Sequence, residues 1–338
     1  RRPLDPPRKL YAKEWLQAVV LADAISADGG IRHLHAHFCH GATTVTWLAA
    51  TILSRPFSFT AHAKDVYEEK LNPAGLLARK LDAAAFVTTC TEANRKHLEA
   101  LAPSARIHRV YHGLNVDFER LLAAGTPPIP ETPDFEVLAV GRRVVKKGFD
   151  TLLEACSQAR AAGRDWRIRF VGEDGDASAE LAQRIARQGL DDRVVIEGPV
   201  LQRELLERMR RADAFALPCR VTETGDRDGI PNVLVEAMSC GLPVVSTPVS
   251  GIPELVVDGQ NGLLVDADDP QALAAAIERL RAAPRLCARL VAGARTTVLE
   301  RFDAASETRR LAALFEQVLA DGRAGPDAKI PLDGRATS

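Results

Sequence analysis

The chain has 338 residues, beyond the size at which one hydrophobic core usually keeps growing, so two domains are expected. Its 46% apolar and 26% charged residues are ordinary globular composition, and no apolar run reaches the 18 or so residues that span a bilayer. A formal net charge of −1 removes the general electrostatic case for a nucleic-acid binder.

The first residues, Arg1-Arg2-Pro3-Leu4-Asp5-Pro6-Pro7, offer neither an initiator Met nor an apolar signal core. Short apolar strands then alternate with longer amphipathic helices, the signature of parallel α/β sheets. Strands are predicted near Arg32–Phe38, Phe57–Ala61, Ala84–Thr88 and Arg106–Tyr111. Helices fall between them near Lys13–Ala27, Ala42–Leu53, Ala74–Leu81 and Glu92–Leu101. The Pro-rich stretch Ala123–Asp134 reads as an extended linker. The alternation restarts at Phe135–Val140 and continues through strands near Arg167–Val171, Val194–Ile196, Ala214–Leu217, Pro243–Ser246 and Gly262–Val265. Helices run on to about Ala320. The resulting organisation is an N-terminal domain over 1–122, a linker over 123–134, a second domain over 135–302, a C-terminal helix over 303–320 that packs back toward the first domain, and a disordered tail over 321–338.

Charge is uneven along this frame. Residues 1–112 carry 15 Lys/Arg against 10 Asp/Glu and all eight His, while the remainder carries 29 against 35. The six cysteines are scattered without C-x-x-C spacing, which suits reduced thiols better than disulfides or a zinc site.

Two segments carry chemistry. In Asp226–Glu236 (DRDGIPNVLVE), Gly229 breaks the chain and a helix propagates from Asn232, with Asp228 expected at or just before the N-cap. Free N–H groups at such a helix start suit phosphate or sugar oxygens. Glu236, eight residues on, would lie about 12 Å along a helix from Asp228, so that each carboxylate could grip different hydroxyls. In Phe135–Gly148 (FEVLAVGRRVVKKG), a buried strand and a glycine turn lead to Arg142, Arg143, Lys146 and Lys147, placed to pair with a diphosphate.

Two other patterns are weaker. His33, His35 and His37 alternate on one strand face with His40 nearby, but no carboxylate or Cys cluster completes a metal site. Three D-x-D matches (Asp174/Asp176, Asp226/Asp228, Asp266/Asp268) arise readily by chance in so charged a chain.

GRRVVKKGFD, VGEDG (Val171–Gly175), DGIPNVLVEAMSCGLPVVST and SGIPELVVDGQNGLLV together resemble the C-terminal domain of glycosyltransferase family 4, retaining enzymes of the GT-B fold. HLHAHF, FSFTAHAKDVY and VYHGLNVDFE are similar to the N-terminal segments of its exopolysaccharide branch, including colanic-acid-type transferases. The likeness runs from about Arg32 to Phe302. It implies an α/β fold of two Rossmann-like, doubly wound parallel-sheet domains facing a cleft.

By that resemblance Arg142 and Lys147 match the diphosphate-binding pair. Asp228 and Glu236 match the two acidic positions of the E-x7-E motif, the first near the donor hexose and the second on the ribose. Gly229, Ile230, Asn232, Val233 and Leu234 match positions whose backbone meets sugar and phosphates. Asp228 departs from the usual Glu, which keeps the charge and shortens the reach. His62, after a strand, matches a His that contacts the transferred sugar, so the catalytic set is His62, Asp228, Arg142 and Lys147. His112 is expected to shape a loop, and Glu254 to cap or fix one. The implied reaction moves a hexose from a nucleotide-diphosphate sugar to a saccharide or lipid-linked acceptor, with retention, in exopolysaccharide or cell-surface glycan synthesis. No cofactor or metal is expected, since Arg142 and Lys147 supply the positive charge. The expected partners are the nucleotide-sugar donor and the acceptor, at the cytoplasmic membrane face, with no nucleic acid. The competing reading is a non-catalytic nucleotide-sugar-binding subunit of a polysaccharide assembly. An epimerase or phosphorylase on the same fold is a third. The resemblance also implies an initial strand and Gly-rich loop that nothing before Arg32 supplies, so the gene product is expected to extend further at its start.

Overall fold

The computed structural model describes residues 8–73, 75–114, 135–164 and 166–321. The linker expected over 123–134 and the tail beyond Asp321 lie outside these residues. The chain divides into two compact units, one of residues 1–110 with 308–338 and the other of residues 111–307.

The first unit carries a four-stranded parallel sheet of β1 (Leu34–His37), β2 (Phe57–Ala61), β3 (Phe86–Thr89) and β4 (Ile107–Arg109), in that order. The central strand FSFTA is buried at every position, as a parallel strand covered on both faces requires. The helices Gly41–Leu53, Leu76–Ala83 and Glu92–Leu101 lie in the crossovers between successive strands. Right-handed crossovers in a sheet whose order never reverses place such helices on a single face. Leu34 and Ala36 of β1 accordingly share a core with Ala49, Ala50, Leu81 and Leu98. The alternate residues His33 and His35 point to the opposite face, where Phe315 of the helix Ala304–Ala320 meets both rings and Phe86.

That face is polar beneath its aromatic cover. The Ser58 hydroxyl lies 2.7 Å from both His33 Nε2 and His35 Nδ1, and His35 Nε2 is 2.9 Å from Thr60 Oγ1. Burial lowers the pKa of both imidazoles to about 4, with neighbouring histidines adding to the effect on His35. His33 and His35 are thus engaged with strand hydroxyls.

The second unit holds six parallel strands: β5 (Phe135–Val140), β6 (Trp166–Val171), β7 (Val194–Glu197), β8 (Ala214–Leu217), β9 (Val244–Ser246) and β10 (Leu263–Leu264). Their order is β7-β6-β5-β8-β9-β10. Counted within the unit this is 3-2-1-4-5-6, a doubly wound sheet whose order reverses between β5 and β8. In such sheets the loops leaving the reversal diverge and open a crevice at the strands' carboxyl ends. Here those loops are Gly141–Gly148 after β5 and Pro218–Pro231 after β8. In this unit β5 and β8 match their predicted bounds residue for residue, because each is a mostly apolar run closed by glycine or proline.

Among the described residues no helix is long and apolar enough to cross a membrane. None of the six cysteines is in a disulfide, and all but Cys90 are buried.

Candidate functional site

The reversal point gathers two lysines and two aspartates. A turn of 3₁₀ helix, Val145–Lys147, places Lys146 and Lys147 side by side. Lys147 Nζ lies 2.7 Å from Asp228 Oδ2, and Lys146 Nζ lies 3.1 Å from Asp226 Oδ1 and 3.4 Å from Asp228 Oδ1. All four side chains are largely shielded from solvent. Burial alone would raise the Asp228 carboxyl, but Lys147 and Lys146 outweigh it and hold it below the usual carboxylate range. Burial likewise opposes the charge on Lys146, and Asp228 and Asp226 outweigh it. The buried Cys219 thiol donates to Asp228 Oδ2 at 3.7 Å.

Backbone packing sets this geometry. Gly148 ends the 3₁₀ turn at φ +67, and a β-carbon there would sit 1.9 Å from the carbonyl oxygen of Pro218. The two loops of the crevice therefore touch through a glycine. Thr247 Oγ1 donates to the Cys219 carbonyl at 2.5 Å and Ser246 Oγ to the Leu217 carbonyl at 2.7 Å, which ties the end of β8 to β9.

The structure corrects three expectations here. Asp228 does not cap the following helix, which spans Asn232–Ser239 with Pro231 as its N-cap. Asp228 lies three residues earlier and is paired with lysine instead, so the helical spacing of 12 Å to Glu236 does not apply. Arg143, grouped above with the phosphate-facing cations, is buried. Its guanidinium donates to Asp174 Oδ1 at 2.6 Å and to the carbonyls of Gly172 at 2.7 Å and Glu197 at 3.2 Å. It stitches together the ends of β5, β6 and β7, while its neighbour Arg142 is exposed and unpaired among the described residues. The Leu234 amide already donates to the Pro231 carbonyl at 2.9 Å, and the Leu234 side chain is core. The amides of Gly229, Ile230, Asn232 and Val233 make no such bond among the described residues.

Glu236 stands on the helix whose buried face is Leu234, Val235, Ala237 and Met238. Burial raises its carboxyl above the ordinary range, and no lysine or arginine pairs with it among the described residues. A cavity of about 230 Å³ opens beside the Arg143 stitch, among Val144, Val145, Phe149, Leu181, Arg184 and Arg220. Lys147, Asp228 and Glu236 do not line it.

In the first unit His62 follows β2 at the carboxyl edge of the sheet, 4.7 Å between ring centroids from Phe38. Phe38 is half exposed and held at φ +71, a left-handed conformation rare for an aromatic residue. A buried polar network below fixes both. Asp65 accepts from the His62 amide at 2.9 Å and from the Cys39 amide. Lys80, fully buried, donates to the carbonyls of Cys39 and His40 at 2.9 and 3.0 Å and to Asn72 Oδ1 at 2.9 Å. Burial lowers its pKa to about 8. In the second unit Glu254 accepts from the Tyr111 hydroxyl at 2.9 Å, which Arg301 also approaches at 3.0 Å.

The sequence profile of the glycosyl transferases group 1 family matches residues 134–282. Residues 134–282 form a group 1 glycosyl transferase domain. The colanic acid biosynthesis glycosyltransferase WcaL of Salmonella typhimurium is 38% identical over 184 residues, covering 54% of this chain and 45% of that protein. The chain thus spans about half the length of such relatives. Among solved structures, sucrose-phosphate synthase from Thermosynechococcus elongatus superposes with a TM-score of 0.76 at 22% identity, covering 94% of this chain and 81% of that one. Anabaena Alr3699/HepE in complex with UDP-glucose gives 0.72 at 21%, covering 89% and 82%. These likenesses establish a GT-B fold of two parallel-sheet α/β domains. The lysine–aspartate cluster and Glu236 all lie inside the group 1 domain.

Proposed function

We propose that this chain is a retaining glycosyltransferase that moves a hexose from a nucleotide-diphosphate sugar to a saccharide or lipid-linked acceptor in exopolysaccharide or cell-surface glycan synthesis. The observation that carries this reading is the Lys147–Asp228 pair at the strand-order reversal of a group 1 domain, beside unbonded amides at a helix start. WcaL, named for colanic acid biosynthesis, supports the polysaccharide setting, and the UDP-glucose complex of HepE supports the donor class.

In this reading Arg142 and Lys147 hold the diphosphate, and the amides of Gly229, Ile230, Asn232 and Val233 add donors at the positive end of the helix. Asp228 takes hydroxyls of the hexose and Glu236 those of the ribose. As the glycosidic bond breaks, positive charge grows on the anomeric carbon and negative charge on the leaving phosphate. Fixed cations and N–H donors at that phosphate stabilise the charge where it develops. Retention follows from attack on the face that the phosphate leaves, with a phosphate oxygen taking the acceptor's proton. By the family resemblance His62 is the residue that contacts the transferred sugar, and Phe38 beside it offers an exposed ring. The domain limits 1–122 and 135–302 and the helix 303–320 complete the reading. So does a cytoplasmic site of action with peripheral contact to the membrane face, to which the basic first third contributes.

The test is a donor screen in which product mass is read by mass spectrometry, with lipid extracts as acceptor source. One nucleotide sugar should give a product heavier than its acceptor by one hexose. Lys147→Ala and Arg142→Ala should each lower turnover by on the order of a hundredfold. Donor turnover untouched by either substitution would remove these residues from the mechanism. Donor binding without transfer or hydrolysis by the full-length gene product would favour the non-catalytic reading.

A further inference from the structure

Lys146 sits between two carboxylates, and only one of them, Asp228, belongs to the donor-site positions described above. The other, Asp226, approaches Lys146 Nζ at 3.1 Å through a hydrogen-bonded ion pair. With Asp226 and Asp228 facing Lys146 and Lys147, the ligand-free cluster carries two positive and two negative charges. A diphosphate entering this crevice must therefore compete with carboxylates for each ammonium. Asp228 has another role to turn to, the sugar hydroxyls, and can release Lys147 as the donor binds. Asp226 has none, and its backbone holds it in place: the Asp226 carbonyl accepts from the Thr222 amide at 3.0 Å and from Thr222 Oγ1 at 3.2 Å.

We propose that Asp226 is an internal counter-anion that keeps Lys146 engaged and so weakens the hold of the site on the nucleoside diphosphate. Its charge limits product retention, while Lys147, released by Asp228, provides the contact that matters during transfer. Asp226 is a positioning residue, acting through Lys146. The inference rests on the donor-site reading given under Proposed function.

The experiment is calorimetric titration of the protein with uridine diphosphate and with guanosine diphosphate, comparing wild type with Asp226→Asn, Asp226→Glu and Lys147→Ala. Asp226→Asn keeps the size and the Thr222 turn and removes the charge. It should bind one of the diphosphates roughly tenfold tighter, with Asp226→Glu restoring the weaker binding of the wild type. A residue that merely supported the loop would lose affinity on substitution, not gain it. Thermal melting of each variant is recorded alongside, and Asp226→Ser repeats the comparison if Asp226→Asn melts early. Equal or weaker diphosphate binding by Asp226→Asn, with Lys147→Ala still abolishing it, overturns the counter-anion and leaves the donor site standing. Absence of diphosphate binding in wild type and variants alike overturns the donor site, and the counter-anion with it.

Discussion

Gly148 is where the two loops of the crevice meet, and Gly148→Ala tests whether that contact sets the lysine–aspartate geometry. At φ +67 an alanine loses the left-handed freedom of glycine, which costs about 1 kcal/mol. The larger effect is steric. The new β-carbon would lie 1.9 Å from the Pro218 carbonyl oxygen, and real contacts of this kind do not fall below 3.0 Å. The loops after β5 and β8 must then part by about 1 Å, which together with the backbone cost gives roughly 3 kcal/mol. For a unit of this size that corresponds to a fall in melting temperature of roughly 6–12 °C. A parting of 1 Å also separates Lys147 from Asp228, so transfer activity should fall by on the order of a hundredfold. The internal control is Gly163→Ala in the same unit, with φ +73 and no atom within 4 Å of its added β-carbon. That change should cost about 1 kcal/mol, roughly 2–4 °C, and leave activity intact. Melting followed by circular dichroism, with turnover measured on the same samples, decides the matter. Equal shifts for the two substitutions would refute the steric argument.

Two further outcomes concern the first unit. His33 and His35 are held neutral with pKa near 4, below the ordinary 6.5, so the unfolded chain binds more protons between those values. Stability should therefore decline as pH falls from 6.5 to 4, by about 2 kcal/mol for each histidine after allowing for partial exposure. Urea unfolding at pH 7 and pH 4.5 should show a smaller difference in His35→Gln than in wild type, and identical differences would contradict the assignment. Lys80→Met leaves two carbonyls and Asn72 Oδ1 without their buried donor, a loss of about 3 kcal/mol. A variant that unfolds at the wild-type urea midpoint would show that Lys80 carries no such role.

The strands were legible because parallel, doubly covered strands are written as short, mostly apolar runs between glycine, proline or charged breaks. FSFTA, FEVLAV and AFAL could be bounded by eye, and the helix Glu92–Leu101 by the Thr91 hydroxyl that accepts from the Asn94 amide at 3.0 Å. The short helix Ala63–Tyr67 was not legible, since one turn has no period to read. Within the site, residue type was readable and partner choice was not. Arg142 and Arg143 are adjacent and chemically identical, yet one is exposed and the other buried against three strand ends. Only the tertiary positions of Gly172, Asp174 and Glu197 distinguish them. Asp228 reads as a cap because Asp before a helix commonly caps, and two lysines from the loop after β5, some 80 residues earlier, override that local preference. Lys80 left no signal at all: in sequence it is one more charge on an amphipathic helix.

The first unit is assembled from two stretches of chain, with the whole second unit lying between them in sequence. Synthesis proceeds from the N-terminus at roughly 5–20 residues per second, so some 200 residues, or roughly 10–40 s, separate β4 from Phe315. During that interval the polar face bearing His33 and His35 lacks the cover of Phe315. The second unit, continuous in sequence, has all its strands in hand before the last helix is made. The first unit, although it begins the chain, therefore receives its last element only after every strand of the second has been made.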